Sequence, residues 1–589
     1  MTSIKPLLKK MGDSLMRPVI NQWPLFCCYI VGIGWSSLLQ NPFYRWFIIF
    51  LHAYLVTALV HVTRSRVVKA VAYTVVFLLF VIESMLESCY GLAISPSMLM
   101  LLAETNPQET QEFFSTIILK PAFWITLMVI ILMVLLAWRA ERRREQVAAR
   151  LQRPKTYSIL RWVTMSFLLV GVITSECYIK LFQCKNIDEV SAWNRHMRYP
   201  SDAMTRVVIA FFDARLASQE MDKAISHTEQ MTAPSTAAPD SVNVIFVIGE
   251  SYIRQHAPLY GYALNTTPFM LSEQQQGRLV AFTDVVSPYN LTTLVVRNII
   301  SSNSIASGER WSDKPPLTAV FRRSGFYVSM YDNQRTYSFA STQTFALNNY
   351  LYHSRMLKAC YDETNDKGFA LDAGLVDYYQ RQQRPGAVAR LAVFHLMGQH
   401  TRFEQRYPAD DVRFSHFTAD SIRRSEPWMT DAKRTEIARY DNATLYNDYV
   451  IEQICQLYAD KNTVMVYLSD HGEEVYDYRD NIGRSLGGHL PDMLSYQYGV
   501  PLVVWCSDRY RERHPDVMER LQQSKDRPMM TDNVCQLLFH LAGLTASPYY
   551  NHARDVLSPD YQCGQRLLND RWDYDEIKKN SDKQIKNNH

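Results

Sequence analysis

The chain is 589 residues long, more than one ordinary hydrophobic core accommodates, so two or more folding units are expected. Its 62 Lys and Arg against 58 Asp and Glu leave a formal net charge of +4. That small excess gathers in short loops between apolar runs, so nothing in it points to a nucleic-acid binder. The ten cysteines form no Cys-x-x-Cys pair, which argues against thiolate zinc sites and dithiol redox centres.

Apolar residues crowd the first third. Five segments are expected to cross a membrane, at 24–40, 46–62, 69–90, 121–138 and 158–177, each near the ~20 residues that a helix needs to span the hydrocarbon core. Lys5, Lys9, Lys10 and Arg17 precede the first. Arg64, Arg66 and Lys69 follow the second, and Arg139, Arg142, Arg143, Arg144, Arg150, Arg153 and Lys155 follow the fourth. Such loops stay on the cytoplasmic side, whereas 91–119 carries no Lys or Arg and belongs outside. An odd number of crossings puts the rest of the chain outside as well. Glu83 and Glu87 lie one turn apart near the outer end of the third span. With no basic partner visible at that depth, they are expected to snorkel or face a polar cleft.

Residues 178–220 mix aromatic, apolar and basic side chains and are expected to form helices at the outer membrane boundary. Residues 221–241, ending TAPSTAAPDS, have the composition of a linker. From Val242 short β-branched runs (NVIFVI, VAFTDVV, FYVSMYD, RLAVFHLMG, NTVMVYLSD, GVPLVVW) alternate with helical stretches such as 430–459. This alternation predicts an α/β unit with a mostly parallel central sheet flanked by helices. Its cysteines, Cys360, Cys455, Cys506, Cys535 and Cys563, would lie in a compartment that permits disulfides. The expected organisation is a five-span membrane unit over 1–180, bridging helices and linker over 181–241, a catalytic unit over 242–564 and a charged, fraying tail over 565–589.

Ligands of an open α/β sheet bind outside the carboxyl ends of its strands. NVIFVI ends at Gly249-Glu250-Ser251 and NTVMVYL at Ser469-Asp470-His471-Gly472, so two carboxylates and an imidazole should meet at one sheet edge. That donor set, completed by a hydroxyl, suits zinc. The stretch Asn290-Leu291-Thr292-Thr293 precedes an apolar run that reads as a helix, and a threonine there is either an ordinary N-cap or a nucleophile beside the positive helix end. Asn333 and Gln334, at another strand end, are expected to line the pocket. His256, in the loop after Glu250, is expected at the surface.

GESYIRQHAPLYGYALNTTP, VVSPYNLTTLVVRNIIS, YDNQ at 331–334, HLMGQH at 395–400, YDNATLYNDY at 440–449 and SDHGEE at 469–474, taken in order, resemble the phosphoethanolamine transferases of the alkaline-phosphatase and sulfatase superfamily. That resemblance covers nearly the whole chain. It implies a five-span enzyme of the bacterial inner membrane, with a periplasmic catalytic unit, working as a monomer. Such an enzyme moves phosphoethanolamine from phosphatidylethanolamine, through a threonine-linked intermediate, to a glycolipid acceptor, a lipopolysaccharide core sugar or lipid A. By motif, Glu250, Asp470 and His471 would be zinc ligands and Thr292 the metal-bound nucleophile, with Ser301 nine positions on favouring Thr292 over Thr293. His400 and His489 match the family's two phosphate-proximal histidines. One zinc ion is implied as tightly bound, with room for a second. Asn106 and Thr110, in an acidic Glu-Thr-Asn stretch like the family's, would meet the donor headgroup, with Glu109 and Glu112 near its ammonium.

The Ser-Pro-Tyr-Asn-Leu-Thr run departs from the Cys-Gly-Thr of lipid A modifiers and is more like the core-directed branch. Alternative readings are a phosphoglycerol transferase of the lipoteichoic-acid-synthase type and an inactive membrane scaffold or sensor. A formylglycine sulfatase is disfavoured, because no Cys-x-Pro-x-Arg or Ser-x-Pro-x-Arg stretch occurs.

Overall fold

The computed structural model describes residues 4–34, 46–90, 94, 121–187, 189–190, 193, 203–231, 242–334, 350–384, 386, 389–484, 491–569 and 572–587. The chain divides into two units, one holding Met1–Gln219 and the other Glu220–Tyr337 with Tyr350–His589.

Among the described residues, four helices of the first unit are long and apolar enough to cross a membrane: Trp46–Thr63, Arg66–Tyr90, Pro121–Arg142 and Pro154–Phe182. A shorter apolar helix, Trp23–Gly34, is the described part of the first expected span, whose remainder lies outside the described residues. Tyr29, Ile33, Ile49, Ala53 and Val76 pack inside, while Trp124, Met128, Leu132, Leu135 and Leu136 stay exposed. An apolar exterior is costly in water and appropriate to lipid. The basic loops meet at one end of this bundle. Lys69 pairs with Glu141, and the Trp23 indole donates to the Arg144 carbonyl at 3.2 Å. Ahead of the first span lies a further helix, Ile4–Asn21, where Asp13 pairs with Arg161 at 3.1 Å.

Glu83 neither snorkels nor lacks a basic partner. Arg206 Nη2 donates to its Oε2 at 2.5 Å and the Ile94 amide to its Oε1 at 3.1 Å, with both side chains buried. Glu87 lies among residues whose side chains are not described. The expected linker is also shorter at its start, because the helix Ala203–Gln230 runs well into it.

The second unit is built on a seven-stranded sheet. In chain order the strands are β1 (Asn243–Gly249), β2 (Leu279–Phe282), β3 (Val285–Val286), β4 (Tyr327–Asp332), β5 (Glu363–Thr364), β6 (Arg390–His395), β7 (Thr463–Ser469), β8 (Leu502–Cys506) and β9 (Met529–Met530). The main sheet runs β2-β8-β7-β1-β6-β4-β5. From β7 to β5 neighbours are parallel, while β8 is antiparallel to both β7 and β2. Every residue of β1 and β7 is buried, as a strand covered on both faces requires. On one face Ile245, Val247, Met465 and Tyr467 pack with Val450, Ile451 and Ile454 of the helix Asp431–Gln456. Each such side chain contributes about 1.5–3 kcal/mol of burial, so the β1–β7 pair is a firm platform.

VAFTDVV, expected as one strand, is divided between β2 and β3, and β3 pairs with β9 in a separate two-stranded sheet. The break falls at Asp284, whose carboxylate pairs with Arg566 at 2.7 Å. Arg566 also pairs with Asp575 at 2.5 Å, so the predicted fraying tail is instead anchored. It forms the hairpin β10 (Leu567–Leu568) and β11 (Trp572–Asp573) and the helix Tyr574–Asn587, with Leu568 and Tyr574 buried against Val286, Met493 and Tyr498. Among the described cysteines Cys360, Cys455, Cys506, Cys535 and Cys563 are free thiols.

Candidate metal and nucleophile site

β1 and β7 are neighbours, with Gly249 in register with Ser469. Glu250 therefore leaves the sheet beside Asp470 and His471, at the carboxyl edge where parallel sheets bind ligands. All three are fully buried, and one ligand atom from each lies within 4.8 Å of the others. His471 Nε2 stands 3.1 Å from Asp470 Oδ2 and 3.4 Å from Glu250 Oε1. Thr292 completes the group, its hydroxyl donating to Glu250 Oε2 at 3.0 Å and lying 3.1 Å from His471 Nε2.

The helix position of Thr292 separates the two roles open to it. It is the first residue of the helix Thr292–Ile300, and Leu291 occupies the N-cap without a side-chain cap hydrogen bond. The Thr292 hydroxyl is thus directed at the carboxylate and imidazole rather than spent on capping, while the first-turn N–H groups are left for other acceptors.

Tight backbone geometry holds the ligands in place. Ser251 has φ 57°, a left-handed conformation costing on the order of 1–3 kcal/mol for a non-glycine residue. It is fixed by its amide on Asp470 Oδ1 at 3.1 Å, its hydroxyl on Glu250 Oε1 at 2.6 Å and the Tyr440 hydroxyl on its carbonyl at 2.7 Å. Two glycines admit close neighbours. A Cβ on Gly472 would fall 1.9 Å from the Tyr496 carbonyl oxygen, and one on Gly398, at φ 48°, 2.9 Å from the Glu250 amide nitrogen.

The electrostatics ask for a cation. Asp470 Oδ1 accepts from the Ser251 and His471 amides, but buried Oδ2 has no donor so long as His471 Nε2, 3.1 Å away, carries no proton. An unpaired buried carboxylate oxygen is expensive. His471 Nδ1 faces the Gly472 carbonyl at 2.9 Å, the tautomer that leaves Nε2 a lone pair toward the carboxylates. Burial and Arg484 oppose protonation of His471, yet Asp470 and Glu250 outweigh them and raise its pKa. Burial lifts Asp470, but His471, Glu250 and Arg484 hold its carboxyl well below the usual range. Asp470 is thereby held ionised, and a proton on His471 Nε2 would occupy the place that a metal ion takes. Two carboxylates, one imidazole and one hydroxyl fit zinc, and the orphaned oxygen supplies the observation that the set is built for an ion.

The sulfatase family model matches residues 242–544, more than half of the chain and all of this site. The chain belongs to the sulfatase family. Within that family it is similar to phosphoethanolamine transferase EptC of Escherichia coli O18:K1:H7 (strain RS218 / NMEC), at 24% identity over 565 residues covering 93% of this chain and 92% of the relative. Two solved structures share its fold. The C-terminal periplasmic domain of EptC from Escherichia coli aligns with a TM-score of 0.50 at 24% identity, covering 58% of this chain and 97% of that one. The integral membrane lipooligosaccharide phosphoethanolamine transferase A from Neisseria meningitidis aligns with a TM-score of 0.51 at 16% identity, covering 92% and 98%.

Elsewhere in this sulfatase-family unit the predicted residues divide. Gln334 reaches the site, its amide donating to Glu250 Oε2 at 3.0 Å and to the Leu396 carbonyl at 2.7 Å. Asn333 does not line it: the side chain turns to Asp372 at 2.8 Å and accepts from the Phe369 amide at 2.8 Å. His400 is half-buried, 3.3 Å from the Thr401 hydroxyl, and burial lowers its pKa while Glu250, Arg484, Arg406 and His471 act on it at longer range. Asn106, Thr110, Glu109, Glu112 and His489 lie outside the described residues.

His256 is a correction. It is 3% exposed, not at the surface, and sits between Asp441 and Asp477. Arg484 went unnoticed in the sequence. Its guanidinium touches His471 Nε2, donates to the Asn290 carbonyl at 3.0 Å and approaches Glu473 at 3.4 Å. Burial pushes the Glu473 carboxyl up to about 7. Nothing in GEEVYDYRDNIGRSLGG distinguishes Arg484 from Arg479, which pairs instead with Glu474 at 2.7 Å.

Proposed function

We propose that this enzyme is a membrane-anchored phosphoethanolamine transferase of a bacterial inner membrane, acting as a monomer with its catalytic unit in the periplasm. The Thr292 hydroxyl, placed against Glu250 and His471, the latter 3.1 Å from Asp470 Oδ2, carries the reading. Similarity to phosphoethanolamine transferases along 93% of the chain supports it. Glu250, Asp470, His471 and Thr292 would hold one zinc ion, which when bound lowers the pKa of a hydroxyl and offsets charge on phosphoryl oxygens.

Thr292 Oγ attacks the phosphorus of phosphatidylethanolamine. The Oγ–P bond forms, the bond from phosphorus to the glycerol oxygen breaks, and the threonine proton ends on the departing diacylglycerol. A hydroxyl or phosphate oxygen of a lipopolysaccharide acceptor, on lipid A or a core sugar, then displaces Thr292 and its proton returns to the threonine oxygen. First-turn amides of the helix Thr292–Ile300 suit the phosphoryl oxygens. His400, kept neutral by burial, is suited to receive a proton from the acceptor, and His489 to clamp the transferred group with it. Asn106 and Thr110 would bind the donor headgroup, and Gln334 would orient Glu250.

Purified enzyme incubated with phosphatidylethanolamine should yield a Thr292 peptide heavier by one phosphoethanolamine. Envelope glycolipids from cells carrying the gene should gain the same increment over cells without it. A modified glycolipid with no adduct at Thr292, or a Thr292→Ala enzyme that still modifies it, would remove the threonine intermediate. An unchanged glycolipid profile would remove the acceptor class.

A further inference from the structure

The candidate metal site is assembled from two loops that neither share a strand nor touch in sequence, so something must fix one loop against the other. The loop after β1 carries Glu250 and, six residues on, His256. The loop after β7 carries His471 and, six residues on, Asp477. His256 Nε2 meets Asp477 Oδ1 at 2.8 Å, and His256 Nδ1 meets Asp441 Oδ1, on the helix Asp431–Gln456, at 2.7 Å. We infer that His256 is a positioning residue of the metal centre: a buried imidazolium bridge tying the Glu250 loop to the Asp470–His471 loop and both to one helix.

Each contact in the bridge is made by a group with little other business there. Asp477 turns its second oxygen back to the Val475 amide at 2.9 Å, so it grips its own loop while holding the imidazole. Asp441 receives the Tyr262 hydroxyl on its other oxygen at 2.8 Å, and the Thr266 hydroxyl donates to the His256 carbonyl at 2.5 Å. Tyr440, next to Asp441 on the helix, accepts from the Ile253 amide and donates to the Ser251 carbonyl, both at 2.7 Å. The helix thus holds the Glu250 loop at two points, at the strained Ser251 turn and at His256. With a carboxylate on each ring nitrogen, both nitrogens donate and the ring carries charge. Burial opposes that charge, but Asp441 and Asp477 raise the His256 pKa to about 10. Burial also lifts Asp441. The two-sided geometry places the proton on the ring.

Zinc here needs Glu250 to stay within a few ångströms of Asp470 and His471, so slack between the loops should appear as lost metal affinity before it appears as lost fold. Groups that orient ligands without binding the ion typically govern affinity by about 10–100-fold. The inference rests on the functional reading above only in taking zinc as the ion; its readout is metal binding, not turnover.

The test uses the full chain in detergent, with zinc affinity measured by competition against a chromophoric chelator and thermal unfolding followed on the metal-stripped protein. His256→Asn should weaken zinc by about tenfold or more. Asp477→Asn, which keeps the shape and removes one charge, should weaken it less, and Tyr262→Phe, which spares both ring contacts, should leave it unchanged. Ile451→Ala loosens the same helix away from the bridge and sets how much affinity a general loss of stability removes. If His256→Asn weakens zinc no more than Ile451→Ala at a matched fall in melting temperature, His256 is ordinary core support and the inference fails. A wild-type chain that binds no zinc overturns the bridge together with the metal reading. One that binds zinc but transfers no phosphoethanolamine overturns the functional reading and leaves the bridge standing.

Discussion

Two buried charge clusters in this molecule have opposite logic. In the membrane unit Glu83 has a donor on each oxygen, with Arg206 Nη2 on one and the Ile94 amide on the other. In the sheet unit Glu250, Asp470 and His471 bring acceptors face to face and leave Asp470 Oδ2 with none. The first cluster is complete and holds a helix in place; the second, even with Arg484 against His471, leaves one carboxylate oxygen open to a cation. Buried charge alone does not mark a functional site. Buried charge that leaves a carboxylate oxygen without a donor does.

Substitutions can break this contrast. The largest effect belongs to Thr292→Ala, which should reduce transfer by about 10⁴-fold or more, as loss of a nucleophile does, measured by headgroup release from phosphatidylethanolamine; Thr292→Ser should retain much of it. Next, Glu83→Gln removes the carboxylate charge facing Arg206 in a low-dielectric interior and should cost about 3–5 kcal/mol, seen as a lower melting temperature in detergent with the turnover of folded molecules unchanged. Asp470→Asn should do the reverse. Zinc affinity should collapse in chelator competition, while the metal-free protein should lose less stability than Glu83→Gln does, because Asn keeps the two amide contacts and gives up only the attraction of Asp470 to His471 and Arg484. A metal-free Asp470→Asn protein whose melting temperature falls as far as that of Glu83→Gln would show that the two clusters obey the same rule. Gln334→Ala should weaken zinc by about tenfold through looser Glu250, measured the same way.

The smallest effect is one of pH. His256, raised to about 10 from an ordinary 6.5, contributes stability that is fully present below pH 6.5 and is lost as pH rises toward 10. Unfolding free energy followed across that window should fall in wild type and flatten in His256→Asn.

Much of the α/β unit was legible in the sequence because a strand buried on both faces must be a continuous apolar run, and the polar residue ending it must lie at the ligand edge. NVIFVI then Glu250, and NTVMVYL then Asp470 and His471, announce both fold and cluster. What stayed hidden depends on partners far along the chain. His256 reads as a surface loop residue until Asp441 and Asp477, 185 and 221 residues away, close on it. Glu83 lacks a visible base because Arg206 lies in a segment whose composition suggests the membrane boundary. The charged tail looks frayed until Arg566 finds Asp284, and the same pairing divides VAFTDVV into two strands. The division of labour between Asn333 and Gln334 is equally invisible, since adjacent residues at a strand end point in different directions.

The register of Gly249 with Ser469 has a consequence for biogenesis. A chain emerging amino-terminus first presents Glu250 and Thr292 long before Asp470 and His471, so a partly exported molecule owns only half of the proposed chelating set. On the proposed metal reading, zinc capture waits for the central pair of strands to zip together, which would make loading of the ion a late event and the bound ion a marker of finished folding.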